Sequence, residues 1–542
     1  MKKSIHFNFF LANSKQGCYA TKCNFIITPF RIYFMFVPLC ILLAASLPAN
    51  SNNQDAQQTP SNSSFFEQKE EVFNRAAAIL KSKFDEEEED LIDELFDSTS
   101  PSKRPITPQN TMPAMPHTVK ELEFASSSIL FIGGPRDQLS KHGIDFSATY
   151  TSIVAGNPVG GLHPQGSTYI DNIAITSLID TEKLFGWHGG HFIMSVEQQD
   201  GGDRNNLSTK NVGNFFLVNG SVGGTTIKWV NLYYQQLFYH DRINLNIGRF
   251  AAMDEFDNSP VLSNYIGSLQ ANPTNLRTTW NPNASWASRL KILMTHDTEL
   301  RFGIFQITNV SINGLNWNFY PNDAASYFTQ YDWNPEFGKA GSTWIFGNGE
   351  KKKSLASQEE VSSDKSFKEP VDVSKMKRFP GHYFVGAYYS AEGTAQYASN
   401  TSLANSYAFY WHGDQVIYRP NPLTDAGLLL WTEFGYTPNM ENTIITFQAK
   451  GGAIYTGLIP GRKNDFTIFG IGYGGFSSNY ISFEETNNNQ HPSYEMVSEF
   501  GYRINFSRFF YLQPDLQWIV NPSGLGSIPN ALVIGLQTGI IF

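Results

Sequence analysis

Ala531-Leu532-Val533-Ile534-Gly535-Leu536-Gln537-Thr538-Gly539-Ile540-Ile541-Phe542 alternates all the way to its last residue. One face carries Leu532, Ile534, Leu536, Ile540 and Phe542, with Thr538 as its polar member; the other carries Ala531, Gly535, Gln537 and Gly539. A period of two with one apolar face and one small or polar face describes a strand wetted on one side only. A terminal strand of this kind with phenylalanine last points to an outer-membrane β-barrel, in which closure leaves no free edge.

The same pattern recurs upstream. Phe500, Tyr502, Ile504 and Phe506 alternate with Gly501, Arg503 and Asn505, and Leu512, Leu516, Trp518 and Val520 with Gln513, Asp515 and Gln517. Leu300, Phe302 and Ile304 alternate with Glu299, Arg301 and Gly303, just after Leu290, Ile292 and Met294 alternate with Arg289 and Lys291. Ile243, Leu245 and Ile247, then Phe192, Met194 and Val196, behave alike. A soluble sandwich would turn the apolar side inward, and local alternation does not separate the two architectures. Composition does: charged residues are 16% of the chain, against about 25% in ordinary globular proteins, while aromatic residues reach 14%, with 43 Phe and 25 Tyr. Rings in such excess belong to girdles at two membrane interfaces. No run of about 18 apolar residues follows residue 50, so a helical membrane protein is excluded for the mature chain.

The N-terminus provides a route to that membrane. Lys2, Lys3, Lys15, Lys22 and Arg31 precede an uncharged apolar stretch from Ile32 to Leu47, closed by small residues up to Ala49, which reads as a secretory signal over residues 1–49. Cys18, Cys23 and Cys40 all precede the cut, so the mature chain is expected to hold neither disulfide nor cysteine metal site. Residues 50–117 read as polar linkers around an acidic amphipathic helix at Phe65–Phe96, alone or as a short coiled coil. Its run Asp85-Glu86-Glu87-Glu88-Glu89-Asp90 contributes to the net charge of -10. A helix there would form a short periplasmic extension, leaving residues 118–542 for the barrel. The charged stretch Gly347–Arg378 reads as a long solvated loop inserted into it.

From residue 130 onward a resemblance appears. Gly133-Gly134-Pro135-Arg136-Asp137-Gln138-Leu139, Lys141-His142-Gly143-Ile144, Glu182-Lys183-Leu184-Phe185-Gly186-Trp187-His188-Gly189-Gly190, Asn246-Ile247-Gly248-Arg249-Phe250, Asp254-Glu255-Phe256 and Tyr511–Pro522 together resemble the carbohydrate-selective porins of the OprB type. That resemblance implies about sixteen antiparallel strands in the outer membrane of a Gram-negative bacterium, admitting sugars by passive diffusion. Spacing agrees: the 400 residues from Gly143 to Phe542 accommodate roughly 16 strands of about 9–11 residues with their turns and loops. His240-Asp241 and Asp297 are tight-turn signals suited to the periplasmic side.

Sugar passage makes its demands in the lumen, where hydroxyls seek paired donors and acceptors and flat C–H faces stack on rings. With the apolar faces toward lipid, Arg289, Lys291, Arg301, Lys450 and Arg503 point inward, as do Glu197, Glu299, Glu433 and Asp515. The opposite orientation would place Arg or Lys in hydrocarbon at about 2–4 kcal/mol each near the midplane. Arg249 is in conflict with this scheme, since alternation with Ile247 places it outward unless it ends the strand or a bulge turns it. By resemblance, Phe250–Phe256 belongs to an inward loop, making Asp254 and Glu255 constriction candidates. Asn487-Asn488-Asn489 reads as an exposed loop.

Enzymatic readings are poorly supported. The 11 histidines are scattered without close metal-ligand spacing, and Gly470–Gly475 sits in an alternating strand, not before a helix. Neither a metal nor a cofactor is expected, nor is nucleic acid a partner. Sugars are the expected permeants and outer-membrane lipid the surroundings, with a homotrimer as an open assembly. Two alternatives stand beside the sugar porin: a general or anion-preferring pore, favoured by an inward basic excess, and a structural or adhesin barrel.

Overall fold

The computed structural model describes residues 135–201, 206–219, 225–269, 283–307, 314, 324–347, 377–397, 399–438 and 440–542. The expected signal, the linkers and acidic helix of residues 50–117, and residues 348–376 of the insertion lie outside the described residues.

A short helix α1 (Pro135–Lys141) precedes β1 (Ile144–Val159) and β2 (Gly166–Asp180); α2 (Thr181–Phe185) leads to β3 (Gly190–Asp200), β4 (Thr226–Phe238) and β5 (Ile243–Phe250). After α3 (Ala252–Glu255) come β6 (Ser285–Leu293), β7 (Thr298–Gln306), β8 (Ala325–Trp333) and the two-residue β9 (Glu336–Phe337). The remaining strands are β10 (Phe379–Gln396), β11 (Ser399–Tyr418), β12 (Gly427–Tyr436), β13 (Ile445–Thr456) and β14 (Phe466–Phe476), then, after α4 (Ser478–Asn488), β15 (Tyr494–Asn505), β16 (Phe510–Val520) and β17 (Ala531–Ile541). All belong to one sheet in which sequence neighbours pair antiparallel, β8 pairs directly with β10, and β17 pairs with β1. Setting aside β9, sixteen strands close an antiparallel barrel.

Alternation becomes orientation in this barrel. On β17, Ile534 and Leu536 are exposed while Val533 and Gln537 are buried. On β16, Leu516 and Trp518 are exposed and Gln513, Asp515 and Gln517 buried. A face of exposed hydrophobic residues around a buried polar interior is the inverse of a soluble core, and it suits hydrocarbon outside and a polar lumen inside. Alternation holds even at Pro514, which is exposed between buried Gln513 and Asp515, although the ladder beside it does not. Pro514 has no N–H to donate, and the β15–β16 ladder is interrupted between Gly501–Asp515 and Ile504–Leu512.

The two ends of the barrel differ. At one end lie the start of β1, the end of β17 and short turns; there Tyr239, His240 and Asp241 take consecutive left-handed φ values of 51°, 55° and 67°, and the Met294 N–H donates to the Thr298 carbonyl at 2.9 Å. The β8–β10 connection that carries the 347–378 insertion leaves from this same end. The opposite end carries the β3–β4 and β5–β6 connections and α4. That helix corrects the loop expected at Asn487–Asn489. The Ser477 side chain accepts from the Tyr480 N–H at its start, and Asn489 is left-handed (φ 51°) at its end, so asparagines 487 and 488 occupy its last turn.

Candidate functional site: an inward loop and an ionic belt in the lumen

The segment that follows β5 folds back into the barrel instead of out into solvent. Phe250, Ala252, Met253 and Phe256 pack with Phe305, Phe328 and Tyr388 of the wall; farther on, Leu262, Tyr265, Ile266 and Leu269 pack with Trp431, Ile468 and Val497. An apolar chain segment inside a polar lumen requires polar anchors as well, and the wall provides them. The Asp257 N–H donates to Gln330 Oε1 at 2.9 Å, Ser259 Oγ to Asp414 Oδ2 at 3.0 Å, Tyr265 Oη to the Phe469 carbonyl at 2.8 Å, and Trp431 Nε1 to Tyr265 Oη at 2.7 Å. Glu499 accepts from the backbone N–H groups of Ile266 and Gly267 at 2.5 and 3.1 Å. A second inward segment, including the π-helical turn Asn206–Val212, docks similarly: Glu495 accepts from the N–H groups of Phe215 and Phe216 at 3.0 and 2.6 Å. Both segments are anchored on β15 and β16, where Gln513 Nε2 donates to the Asn264 carbonyl and Gln517 Nε2 to the Val218 carbonyl, each at 2.8 Å, and they are tied to each other by Ser268 Oγ, which donates to the Leu217 carbonyl at 3.0 Å.

Around one wall runs a belt of charges, contributed by successive inward positions of adjacent strands. Arg289 Nε on β6 donates to Glu255 Oε2 of the loop at 2.8 Å. Lys291 on β6 lies 3.5 Å from Glu299 on β7, Arg301 also pairs with Glu299, and Arg301 reaches Asp332 on β8 at 3.3 Å. The chain continues through His382 on β10, 3.4 Å from Asp332 and 3.5 Å from Asp414, to His412 on β11, 3.0 Å from Asp414 and 3.7 Å from Glu433. It ends on β13, where Lys450 Nζ donates to Glu433 Oε1 at 2.8 Å. Most of these groups are buried by one another and the loop. Lys291 and Arg301 keep 19% of their side-chain surface exposed and His382 20%, so these three face the water passage.

The residues singled out from sequence fall into three situations. Arg289, Lys291, Arg301, Glu299, Glu433, Lys450 and Glu255 join the belt. Asp254, on α3, is pushed up to about 8 by burial and by the like charges of Glu197 and Glu255; Glu197 itself accepts from Asn172 Nδ2 at 2.9 Å. Asp515 and Arg503 stand on the far wall. Asp515 accepts from Gln517 Nε2 at 2.9 Å, whereas the Arg503 guanidinium lies between the rings of Tyr511 and Phe466, 4.2 and 4.8 Å from their centroids, and donates to Gln513 Oε1 at 2.7 Å. Arg503 is thus packed into the wall, with 1% exposure, and does not face open water. Arg249 stays in regular register with Trp286, with no bulge in β5; it is the strand's penultimate residue, is buried, and its Nη2 donates to the Ala284 carbonyl at 3.1 Å.

Sequence reading missed Asp332, His382, His412, Asp414, Glu495 and Glu499. A signal was there, since Val385 and Trp411 are exposed outward and strand parity then sends His382, His412 and Asp414 inward. With these carboxylates counted, the inward basic excess disappears, which weakens the case for an anion pore. The interior aromatics are also not free platforms: Tyr265, Trp431, Phe256 and Phe328 are buried in holding the loop to the wall. A separate apolar depression bounded by Trp187, Tyr234, Phe238 and Ile247 involves the outward-facing side and lies apart from the belt.

Comparison with known proteins follows the same outline. The carbohydrate-selective porin, OprB family, matches residues 164–542. The chain is 22% identical over 454 residues to Porin B of Pseudomonas aeruginosa, covering 76% of this chain and 90% of that protein. It is 21% identical over 461 residues to the putative porin QuiX of Acinetobacter baylyi, covering 76% and 92%. Among solved structures, the high-pH structure of Pseudomonas putida OprB superposes with a TM-score of 0.64 at 20% identity, covering 76% of this chain and 97% of that one. The last comparison speaks to the fold.

Proposed function

The chain belongs to the carbohydrate-selective porin family of the OprB type, and from that premise we propose that it admits sugars across the outer membrane by passive diffusion past the ionic belt. The observation that carries this reading is the inward loop anchored across the lumen beside Lys291, Arg301 and His382. A sugar entering there meets donors from Lys291 and Arg301 and the edge of the Glu299 carboxylate within one short arc, with Asp332 buried behind Arg301. Charge-assisted hydrogen bonds replace those to water at little net cost while the site remains wet, so binding stays weak enough for release. The charges are already paired with each other, which leaves the passage without a strong field of either sign.

Several further features belong to this reading. The pore performs no catalysis. Its outward hydrophobic band contacts outer-membrane lipid, three copies assemble as a homotrimer, and residues 50–117 extend into the periplasm. The residues assigned to sugar contact are Lys291, Arg301, Glu299 and Asp254, with Arg289, Glu255, Glu433 and Lys450 shaping the constriction, and with Glu197, Asp515 and Arg503 supporting the wall. Liposome swelling tests the function. Vesicles carrying the protein should swell faster in monosaccharides than in organic anions of equal size, and faster swelling with the anions would reject sugar preference.

A further inference from the structure

We propose that His382, His412 and Asp414 form a binding site for a divalent transition-metal ion of the zinc type, set into the lumen wall. The three residues come from two paired strands: His382 faces Asp414 directly across the β10–β11 ladder, and His412 and Asp414 are two apart on one face of β11. One ligand atom from each lies within 4.8 Å of the others. Asp414 Oδ2 is 3.0 Å from His412 Nε2 and 3.5 Å from His382 Nδ1. Tetrahedral zinc, with bonds of about 2.0–2.1 Å, places its ligand atoms about 3.3 Å apart, so two edges are nearly at metal-bound length. Two imidazoles and a carboxylate are donors that zinc accepts, leaving a fourth position for water or a permeant.

The surroundings are those of a metal site as well. Each imidazole directs its other nitrogen toward a carboxylate: His382 Nε2 lies 3.4 Å from Asp332 and His412 Nδ1 lies 3.7 Å from Glu433. The hydrogen bond between His382 and Asp332 fixes that ring's orientation and raises its basicity as a ligand, while Glu433 faces His412 Nδ1 as an ion-pair neighbour beyond hydrogen-bond length. His412 is further held between Phe384 and Trp431, each at 17° to its plane. Ser259 of the inward loop steadies Asp414 Oδ2 at 3.0 Å. Charge argues the same way. Asp332 has Arg301 and Glu433 has Lys450, but the ion-pair partners of Asp414 among the described residues are these two imidazoles. A cation at this point completes the belt, and the partial exposure of His382 gives it access from the lumen.

The assignment does not depend on what the pore conducts, so its test is direct binding. Chelator-stripped full-length protein, folded in detergent, is titrated with Zn2+ by calorimetry at neutral pH. One equivalent should bind per chain, and binding should weaken by at least about tenfold in His412→Ala, since losing a ligand costs no less than losing one of its outer partners, about 10–100-fold. Because His412 is buried and its loss could impair folding, His382→Gln provides a second variant at a partly exposed ring and should weaken binding similarly. His491→Ala, at an exposed histidine just after α4 that pairs with Glu485, should bind as the parent does. No stoichiometric binding to the folded parent, or unchanged affinity in His382→Gln, would overturn the site and leave the histidines as ion-pair partners of Asp414 only.

Discussion

Glu255 on the inward loop and Arg289 on β6 meet inside the barrel, Oε2 to Nε at 2.8 Å, with 8% and 1% of their side chains exposed. Glu255 also accepts from Asn246 Nδ2 at 3.2 Å, and Arg289 Nη1 donates to Asn244 Oδ1 at 3.0 Å, so the pair is embedded in hydrogen bonds on both sides. It latches the loop to the wall at the point where the loop begins.

Removing one partner should therefore loosen the constriction more than the barrel. Glu255→Gln leaves Arg289 as a buried unpaired charge, a change that costs about 3–5 kcal/mol in buried pairs, and a loop can relieve it by moving. Planar-bilayer recordings should show higher conductance and more open-channel noise, while heat-modifiable migration persists. The double variant Glu255→Gln/Arg289→Met should recover part of the lost thermal stability. Parent-like conductance and noise in the single variant would show that the pair is not a latch.

Orientation can be tested on one strand. Arg301 faces the passage and Ile304, on the same strand β7, is 52% exposed on the outer face. Arg301→Gln should shift reversal potentials toward cation preference with assembly intact. Ile304→Arg should impair insertion by about 2–4 kcal/mol if it sits near the midplane. Normal assembly of Ile304→Arg, with unaltered selectivity in Arg301→Gln, would reverse the assignment of faces.

Asp254 should give the protein a pH dependence. Burial, Glu197 and Glu255 hold its carboxyl at about 8 in the folded state, above the 3.8 of the free group. The folded chain then keeps a proton that the unfolded chain has lost, so its contribution to stability is intact below about pH 4 and declines as pH rises toward 8. Melting of Asp254→Asn in detergent should gain on the parent across that interval and stop gaining above it. Parallel melting curves over the whole range would exclude this role.

How far the sequence could be read depended on whether the information was local. Ile534 and Leu536 against Val533 and Gln537 declare their faces through nearest neighbours, because a strand repeats every two residues. Arg289, Lys291 and Arg301 were legible inside for the same reason. Their partners were not: His382 and Asp414 are thirty-two positions apart and meet through strand register, which one strand's pattern does not encode. Leu262, Tyr265 and Leu269 were invisible as an inward plug, since apolar residues in a connection announce burial without saying against what. Arg503 was placed on the right face yet misread as wetted, because Tyr511 and Phe466 close over it from adjacent strands. The helix α4 hid behind its polar composition, with its stop signal in Asn489.

Sugars that cross by the route proposed above must briefly occupy the arc of Lys291, Arg301 and Glu299 beside the inward loop. Single-channel current recorded in a planar bilayer while mono- and oligosaccharides are added tests it most directly. A reversible, saturating reduction of current is expected, weakened in Arg301→Gln. Current that stays blind to both classes of sugar over a wide concentration range would contradict it.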